Sequence, residues 1–360
     1  MRSAAKWFAW LLSLALLAMD PAKLGIKLSA EWLLPLVISG AASFLMDFAW
    51  VRSTRRWPMY KRHFAIFVLM GLLILCRGLY LHGSFGTVNQ WCFTLVGLAA
   101  GLCAGALPFV FGSRSLYYGW MRGSNARPDL SRRLVVIADP HWCEELTGLR
   151  QATLAMPDAD WLFLGDVFNV WVGTSGFSTD ANRNFLWWVS ERRRTGHWVG
   201  FWTGNREFFL DNLSDKFDFM GEGVVGCLWG ETFAFEHGDL INTMDRSYRI
   251  WNLISRSAPV WLLALALPRP IGRRLASYLE RKLVTTNLEF RTNFPKDDFD
   301  SAIHCSGMPY FIAGHFHRTE VFHKGMSVEW ANEGKFLVLQ GGEFTYQDFN
   351  IEPPRQPKAP

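Results

Sequence analysis

Five segments of this chain end on residue types that bind divalent cations. They are Asp139-Pro140-His141, Gly165-Asp166, Gly204-Asn205-Arg206-Glu207, His237-Gly238-Asp239 and Gly314-His315-Phe316-His317. Carboxylate, carboxamide and imidazole donors with little thiolate suit Mn²⁺, Fe²⁺, Zn²⁺ or Mg²⁺ rather than a sulfur-based centre. Two such ions held about 3.5–4 Å apart need a shared ligand, and a carboxylate with its two oxygens can bridge them. Asp166 is the candidate bridge. Asp139 and His141, two residues apart, offer one ion an oxygen and a ring nitrogen. His315 and His317 can reach different ions from a tight turn, and Asn205 with His237 completes the coordination of the second ion. The chemistry this permits is activation of a bound water as a nucleophile near neutral pH.

Such residues must be brought together by the fold, and the sequence indicates how. Several blocks follow a short apolar run: Leu134-Val135-Val136-Ile137-Ala138, Trp161-Leu162-Phe163-Leu164 and Tyr310-Phe311-Ile312-Ala313. A buried strand that stops at a polar residue delivers it to the rim of a sheet, where α/β proteins bind ligands. Helical and strand patterns alternate around these runs. Helices are expected over 144–156 and 180–194, strands over 198–203, 224–227 and 232–236, and a strand-rich return from 309. The chain is therefore read as α/β. Residues 114–132 read as a linker, and the Pro-rich segment 351–360 as a disordered tail.

Each ligand has a blander reading when taken alone. His237 or His317 would be a hydrogen-bonded structural histidine, Asp166 a helix cap, and Asn205-Arg206 a turn. Five blocks would need five separate explanations, so the shared site is preferred. The six cysteines are scattered without a Cys-x-x-Cys pair, which excludes a zinc ribbon and points away from disulfides.

The order Asp-x-His, Gly-Asp, Gly-Asn, His-Gly-Asp, Gly-His-x-His resembles the calcineurin-like metallophosphoesterases over roughly residues 133–345. Finer features resemble one branch, the UDP-2,3-diacylglucosamine diphosphatases of lipid A synthesis. These are the run Gly165 to Gly173, Arg206 directly after Gly204-Asn205, and His237-Gly238-Asp239 followed by Asp245 and Tyr248. The resemblance implies an αββα sandwich with a helical insertion over 249–293 that caps the site and receives acyl chains. It implies two divalent metals, Mn²⁺ foremost, on Asp139, His141, Asp166, Asn205, His237, His315 and His317. Asp166, Asn205 and Arg206 would be catalytic. Arg206 and Tyr248 would hold phosphate and Asp245 the sugar side of an acylated nucleotide sugar. The products would be UMP and 2,3-diacylglucosamine 1-phosphate. Asn169 stands where that branch has Glu, Pro140 and Trp142 replace Leu, and 283–300 matches poorly. Two other readings stay open: a phosphatase acting on another nucleotide, lipid phosphate or phosphoprotein, and a non-catalytic scaffold.

Composition is uneven along the chain. Residues 1–120 hold eleven Lys and Arg against three acids, whereas acids outnumber bases beyond them, so the net +5 does not indicate a nucleic-acid surface. Apolar segments at 7–19, 32–51, 63–81 and 91–111 read as about four membrane spans within an all-α transmembrane domain, 1–113. The basic loop from Arg52 to Arg62 orients the catalytic part toward the cytoplasm, at a bacterial inner membrane. Asp47 and Arg77 are expected to snorkel rather than pair. The basic amphipathic stretch after 269 suits an inner-leaflet lipid surface. Oligomeric state is not legible.

Overall fold

The computed structural model describes residues 2–18, 33–53, 58–82, 88–110, 120–123, 131–142, 146–223, 226–228, 233–289, 294–322, 325–328 and 334–348. The expected tail, 351–360, lies outside them, as do Cys143 and Glu144. The chain divides into two compact units, residues 1–118 with 246–258, and residues 119–245 with 259–360.

The first unit is helical: α1 (Arg2–Ala18), α2 (Leu33–Ser53), α3 (Met59–His82), α4 (Val88–Val110) and α7 (Arg246–Ser255). Ala42, Met46, Ile66 and Leu98 form its core, and the Ser43 hydroxyl donates to the Leu98 carbonyl at 3.1 Å. The multi-pass membrane reading is corrected here. Among the described residues, no helix is long and apolar enough to cross a membrane. The 17 residues of α1 extend only about 26 Å at ~1.5 Å per residue, short of the roughly 30 Å of hydrocarbon. Charges interrupt α2 at Asp47 and Arg52, and α3 at Lys61, Arg62 and Arg77. Asp47 does not snorkel. It is fully buried, 3.6 Å from His63 Nε2.

The second unit is α/β. Along the chain run β1 (Trp120–Gly123), β2 (Leu134–Ile137), α5 (Thr147–Ala155), β3 (Asp160–Phe163), β4 (Trp171–Val172), α6 (Asp180–Arg194), β5 (Val199–Thr203), β6 (Glu207–Phe208), β7 (Phe219–Glu222), β8 (Gly226–Leu228) and β9 (Phe233–Glu236). Then follow α8 (Ala258–Ala266), α9 (Arg269–Glu289), α10 (Lys296–Ser306), β10 (Tyr310–Ala313), β11 (Glu320–Val321), β12 (Gly325–Ser327), β13 (Lys335–Gln340) and β14 (Glu343–Asp348). A seven-stranded sheet has the order β1-β7-β5-β3-β2-β13-β14, and a five-stranded one the order β11-β12-β10-β9-β8. Strands β2, β3, β5 and β7 are parallel, as are β9, β10 and β12. The segment read as a linker contributes β1, an edge strand antiparallel to β7.

Side-chain alternation explains the layers. Val135, Ile137, Trp161, Phe163 and Phe201 pack with α5 and α6 on one face of the large sheet. Leu134, Val136, Leu162 and Trp202 meet Phe233, Phe235 and Ile312 between the sheets. Ala234, Phe311 and Ala313 pack against Phe299 and Ala302 of α10 on the far side. Both faces of the central strands are covered, which is why they read as unbroken apolar runs. Helix α6 starts at the expected residue because Thr179 and Asn182 form a reciprocal cap.

Candidate metal centre

The parallel strands deliver the candidate ligands to one edge. Asp139 and His141 follow β2, Asp166 follows β3, Asn205 and Arg206 follow β5, His237 follows β9, and His315 and His317 follow β10. Parallel pairing sets Ala313 beside Glu236, so the histidine-bearing turns leave the small sheet together. The Gly314 N–H then donates to the His237 carbonyl at 2.8 Å. Across the large sheet, the Asp139 N–H donates to the Gly165 carbonyl and that of His141 to the Asp166 carbonyl, each at 3.1 Å.

Three oxygen- and nitrogen-bearing residues, Asp139, His141 and His317, present ligand atoms within 4.8 Å of one another, and so do Asp139, Asp166 and His237. Asp139 is common to both groups. The rings of His141 and His317 stack at 5.3 Å, and those of His237 and His315 meet edge to face at 5.2 Å. All seven expected ligands are therefore gathered. Five of them, Asp139, His141, Asp166, His315 and His317, hold a left-handed backbone, among only seven non-glycine residues with positive φ among those described. That conformation is unfavourable for a side-chain-bearing residue and is kept where the surroundings enforce it, characteristically at functional sites.

The atoms around His237 test whether a cation fits. Its Nδ1 lies 2.7 Å from the Leu164 carbonyl, which can only accept, so Nδ1 carries the proton and Nε2 presents a lone pair. That lone pair faces Asp166 Oδ1 at 3.6 Å and Asp139 Oδ1 at 3.9 Å. The Asn205 amide adds a group 3.0 Å from His237 Nε2 and 2.6 and 3.0 Å from the two Asp166 oxygens. With its oxygen turned inward, only acceptors crowd the point, an arrangement that a divalent cation satisfies. With its nitrogen turned inward it donates to them instead. The charges agree with a cation. Asp139 and Asp166 are buried, and Arg206 pairs with Asp166 at 3.1 Å. Buried carboxylates in such excess need positive charge nearby. The residues fit a metal pair.

Burial is the main force on the histidines. It holds His141 and His315 well below the usual imidazole range, reinforced for His141 by the Arg206 guanidinium and for His315 by His237. Neutral imidazole is the ligating form. Glu207 is pushed up to about 8, first by burial and then by the Asp166 charge, against three backbone N–H groups that favour its anion.

Glu207 was not assigned a role from sequence. One of its oxygens accepts from Asp166 N at 2.9 Å and Gly204 N at 2.7 Å, the other from Val167 N at 2.9 Å. It ties the turn after β3 to the turn after β5. Its only sequence signal was a carboxylate closing the Gly-Asn-Arg-Glu block. Gly165 lets the same turns touch: at φ +87°, a Cβ there would collide with the Gly204 backbone. Asn169 is buried and accepts from Arg206 Nη1 at 3.4 Å. Of the expected substrate contacts, Arg206 lines the centre and Asp245 is exposed at the end of the loop that follows His237. Tyr248 is on α7, which groups with the N-terminal helices.

No protein-family model matches the chain. It is similar to UDP-2,3-diacylglucosamine hydrolase of Aeromonas salmonicida (strain A449), 26% identical over 230 residues, covering 58% of this chain and 89% of that one. It is also similar to the protein of that name from Shewanella sp. (strain ANA-3), 29% identical over 233 residues, covering 58% and 93%. The chain is a hydrolase. These similarities support a metallophosphoesterase assignment. A solved structure from Streptococcus pneumoniae TIGR4, described as a predicted phosphoesterase, aligns at 10% identity and a TM-score of 0.26, over 57% of this chain and 81% of that one.

Proposed function

We propose that this protein is a dinuclear metal-dependent phosphohydrolase that cleaves the pyrophosphate of UDP-2,3-diacylglucosamine, releasing UMP and 2,3-diacylglucosamine 1-phosphate. The convergence of Asp139, His141, Asp166, Asn205, His237, His315 and His317 carries the hydrolytic reading. The relatives named for that substrate support its identity. Asp139, His141 and His317 would hold one ion, and Asn205, His237 and His315 the other. The carboxylate between them would come from Asp166, as the sequence order suggests, or from Asp139, which is common to both ligand groups. When bound, such a pair lowers the pKa of a water and draws charge from the phosphoryl oxygens.

The chain's own residues do the rest. His237 is held in one tautomer by the Leu164 carbonyl, so its Nε2 stays available as a donor. Arg206 is fixed from two sides, by Asp166 and by the Asn169 amide. Its planar fork is thereby aimed where charge grows as the anhydride bond breaks.

The substitution of Asn169 for Glu favours keeping a second reading, a metallophosphatase for a different phosphate ester, because a neutral group beside Arg206 leaves more of its charge for the substrate. Incubation with UDP-2,3-diacylglucosamine and Mn²⁺, beside an Asp166→Asn variant, separates the two. UMP release by the unaltered protein alone supports the proposal. Inertness of both proteins, with cleavage of a generic aryl phosphate by the unaltered one, selects the second reading.

A further inference from the structure

A cleft of about 380 Å³ in the α/β unit has no residue in common with the metal centre. It lies between the loop after β4, the start of α6 and the start of α9. Its volume falls in the range of small-molecule sites, roughly 300–1,000 Å³. Trp171 forms part of the apolar wall, and Arg183, Arg269 and Arg273 supply the charge. Arg183 is paired with Asp180. Arg269 and Arg273 are exposed and make no ion pair among the described residues.

Two further lining groups are buried and unsatisfied. Thr174 is 7% exposed and Asn182 is 2% exposed, and neither Thr174 Oγ1 nor Asn182 Nδ2 has a hydrogen-bond partner among the described residues. The Asn182 amide is oriented by its cap, because its oxygen accepts from the Thr179 N–H at 3.0 Å, which leaves Nδ2 to donate elsewhere. A buried polar group without a partner is costly, so such groups are normally matched by something. The cleft is also held in shape. Gly272 of α9 sits against the Gly176 carbonyl so closely that a Cβ would come within 2.8 Å of it.

We propose that this cleft is a second binding site, for a phosphate group. Two guanidinium forks, an amide N–H and a hydroxyl are donors arranged around one space, and a tetrahedral oxyanion has acceptors for all of them. The positive end of the α9 dipole lies at the same place. The group is carried by a free phosphate or phosphate ester, or by the headgroup of a phosphomonoester lipid.

The test uses the full chain stripped of metal with a chelator, which silences the catalytic centre. Inorganic phosphate is titrated calorimetrically, and co-sedimentation is measured with phosphatidylcholine vesicles containing phosphatidic acid. Unaltered protein and Asp166→Asn are expected to bind alike. Arg269→Ala/Arg273→Ala, at exposed positions, is expected to bind about tenfold or more weakly, the scale of losing charge-assisted hydrogen bonds. Thr174→Val, similar in shape, should weaken binding severalfold. Binding of phosphate alone identifies a free ligand, and binding of vesicles alone a lipid headgroup. Equal binding by the unaltered and double-arginine proteins, or no binding of either probe, overturns the proposal. Neither result bears on UMP release, so this site and the proposed hydrolysis stand or fall separately.

Discussion

The carboxylate of Glu207 accepts the backbone N–H of Asp166 at 2.9 Å while the same oxygen accepts that of Gly204 at 2.7 Å. A single buried side chain thus fixes the turn that presents Asp166 and the turn that presents Asn205. Glu207→Gln keeps the shape but must face one or more of these N–H groups with its own NH₂. Metal affinity is expected to fall about 10- to 100-fold, the usual scale for a residue that orients ligands. Glu207→Asp, which keeps the charge but shortens the reach, should lose less. Calorimetric titration with Mn²⁺ checks this, and unchanged affinity in Glu207→Gln would remove the role.

Arg206 is the side chain expected to meet charge in the transition state rather than in the ground state. Arg206→Lys keeps the charge and loses the fork that Asp166 and Asn169 orient. A fall in kcat of about 10²-fold is expected, with metal content unchanged. Steady-state kinetics with the metal content measured in the same preparation separates this from damage to the ligand cluster. A change in KM alone would make Arg206 a binding residue only.

The buried histidines set an acid dependence. His141 and His315 titrate well below 6.5 in the folded protein, while in the unfolded chain they titrate near it. The unfolded state therefore binds more protons as pH falls below 6.5, and the folded state loses stability in that direction. Two such groups give a slope of up to about 2.7 kcal/mol per pH unit in the metal-free protein. Glu207, pushed up to about 8 by burial, keeps its proton in the fold and opposes part of this. The test is therefore the difference: thermal unfolding of metal-free protein below pH 6.5 should give the unaltered protein a slope more positive than that of His315→Asn by up to about 1.4 kcal/mol per pH unit. Identical slopes in the two proteins would show that His315 is protonated in the native state.

Gly165→Ala places a Cβ against the Gly204 backbone in a conformation with φ +87°. Backbone strain and overpacking together are expected to cost about 2–4 kcal/mol, and the turn must shift Asp166 to relieve them. Denaturant unfolding and Mn²⁺ titration should therefore both register the change. Loss of stability without loss of metal affinity would uncouple this contact from the centre.

Much of the centre was legible because its signals are local. An apolar run followed by Asp139, Asp166 or His315 declares both the strand and its exit, and the layers around β2, β3 and β10 follow from the same alternation. What escaped depends on tertiary contact. No sequence rule places Asp139 or His317 in the left-handed region, since neighbouring turns enforce it. Glu207 closes one of the ligand-type blocks, but its part in joining two turns appears only when three N–H groups close on it. Residues 120–123 look like linker because an edge strand needs only one partner, here β7. Apolar letters in α2 and α3 suggested lipid, but counting cannot tell a lipid-facing residue from one facing a neighbouring helix. Ala42, Met46 and Ile66 face neighbouring helices, while Val37, Phe44, Phe64 and Phe67 are exposed.

The central claim is that seven side chains from five turns hold a pair of divalent ions. Diffraction from crystals of the protein soaked in Mn²⁺, with anomalous scattering recorded at the manganese edge, tests it most directly. The account predicts two peaks about 3.5–4 Å apart, bounded by Asp139, His141, Asp166, Asn205, His237, His315 and His317. Fully ordered side chains at these positions with no peak among them, or a single peak elsewhere, would contradict it.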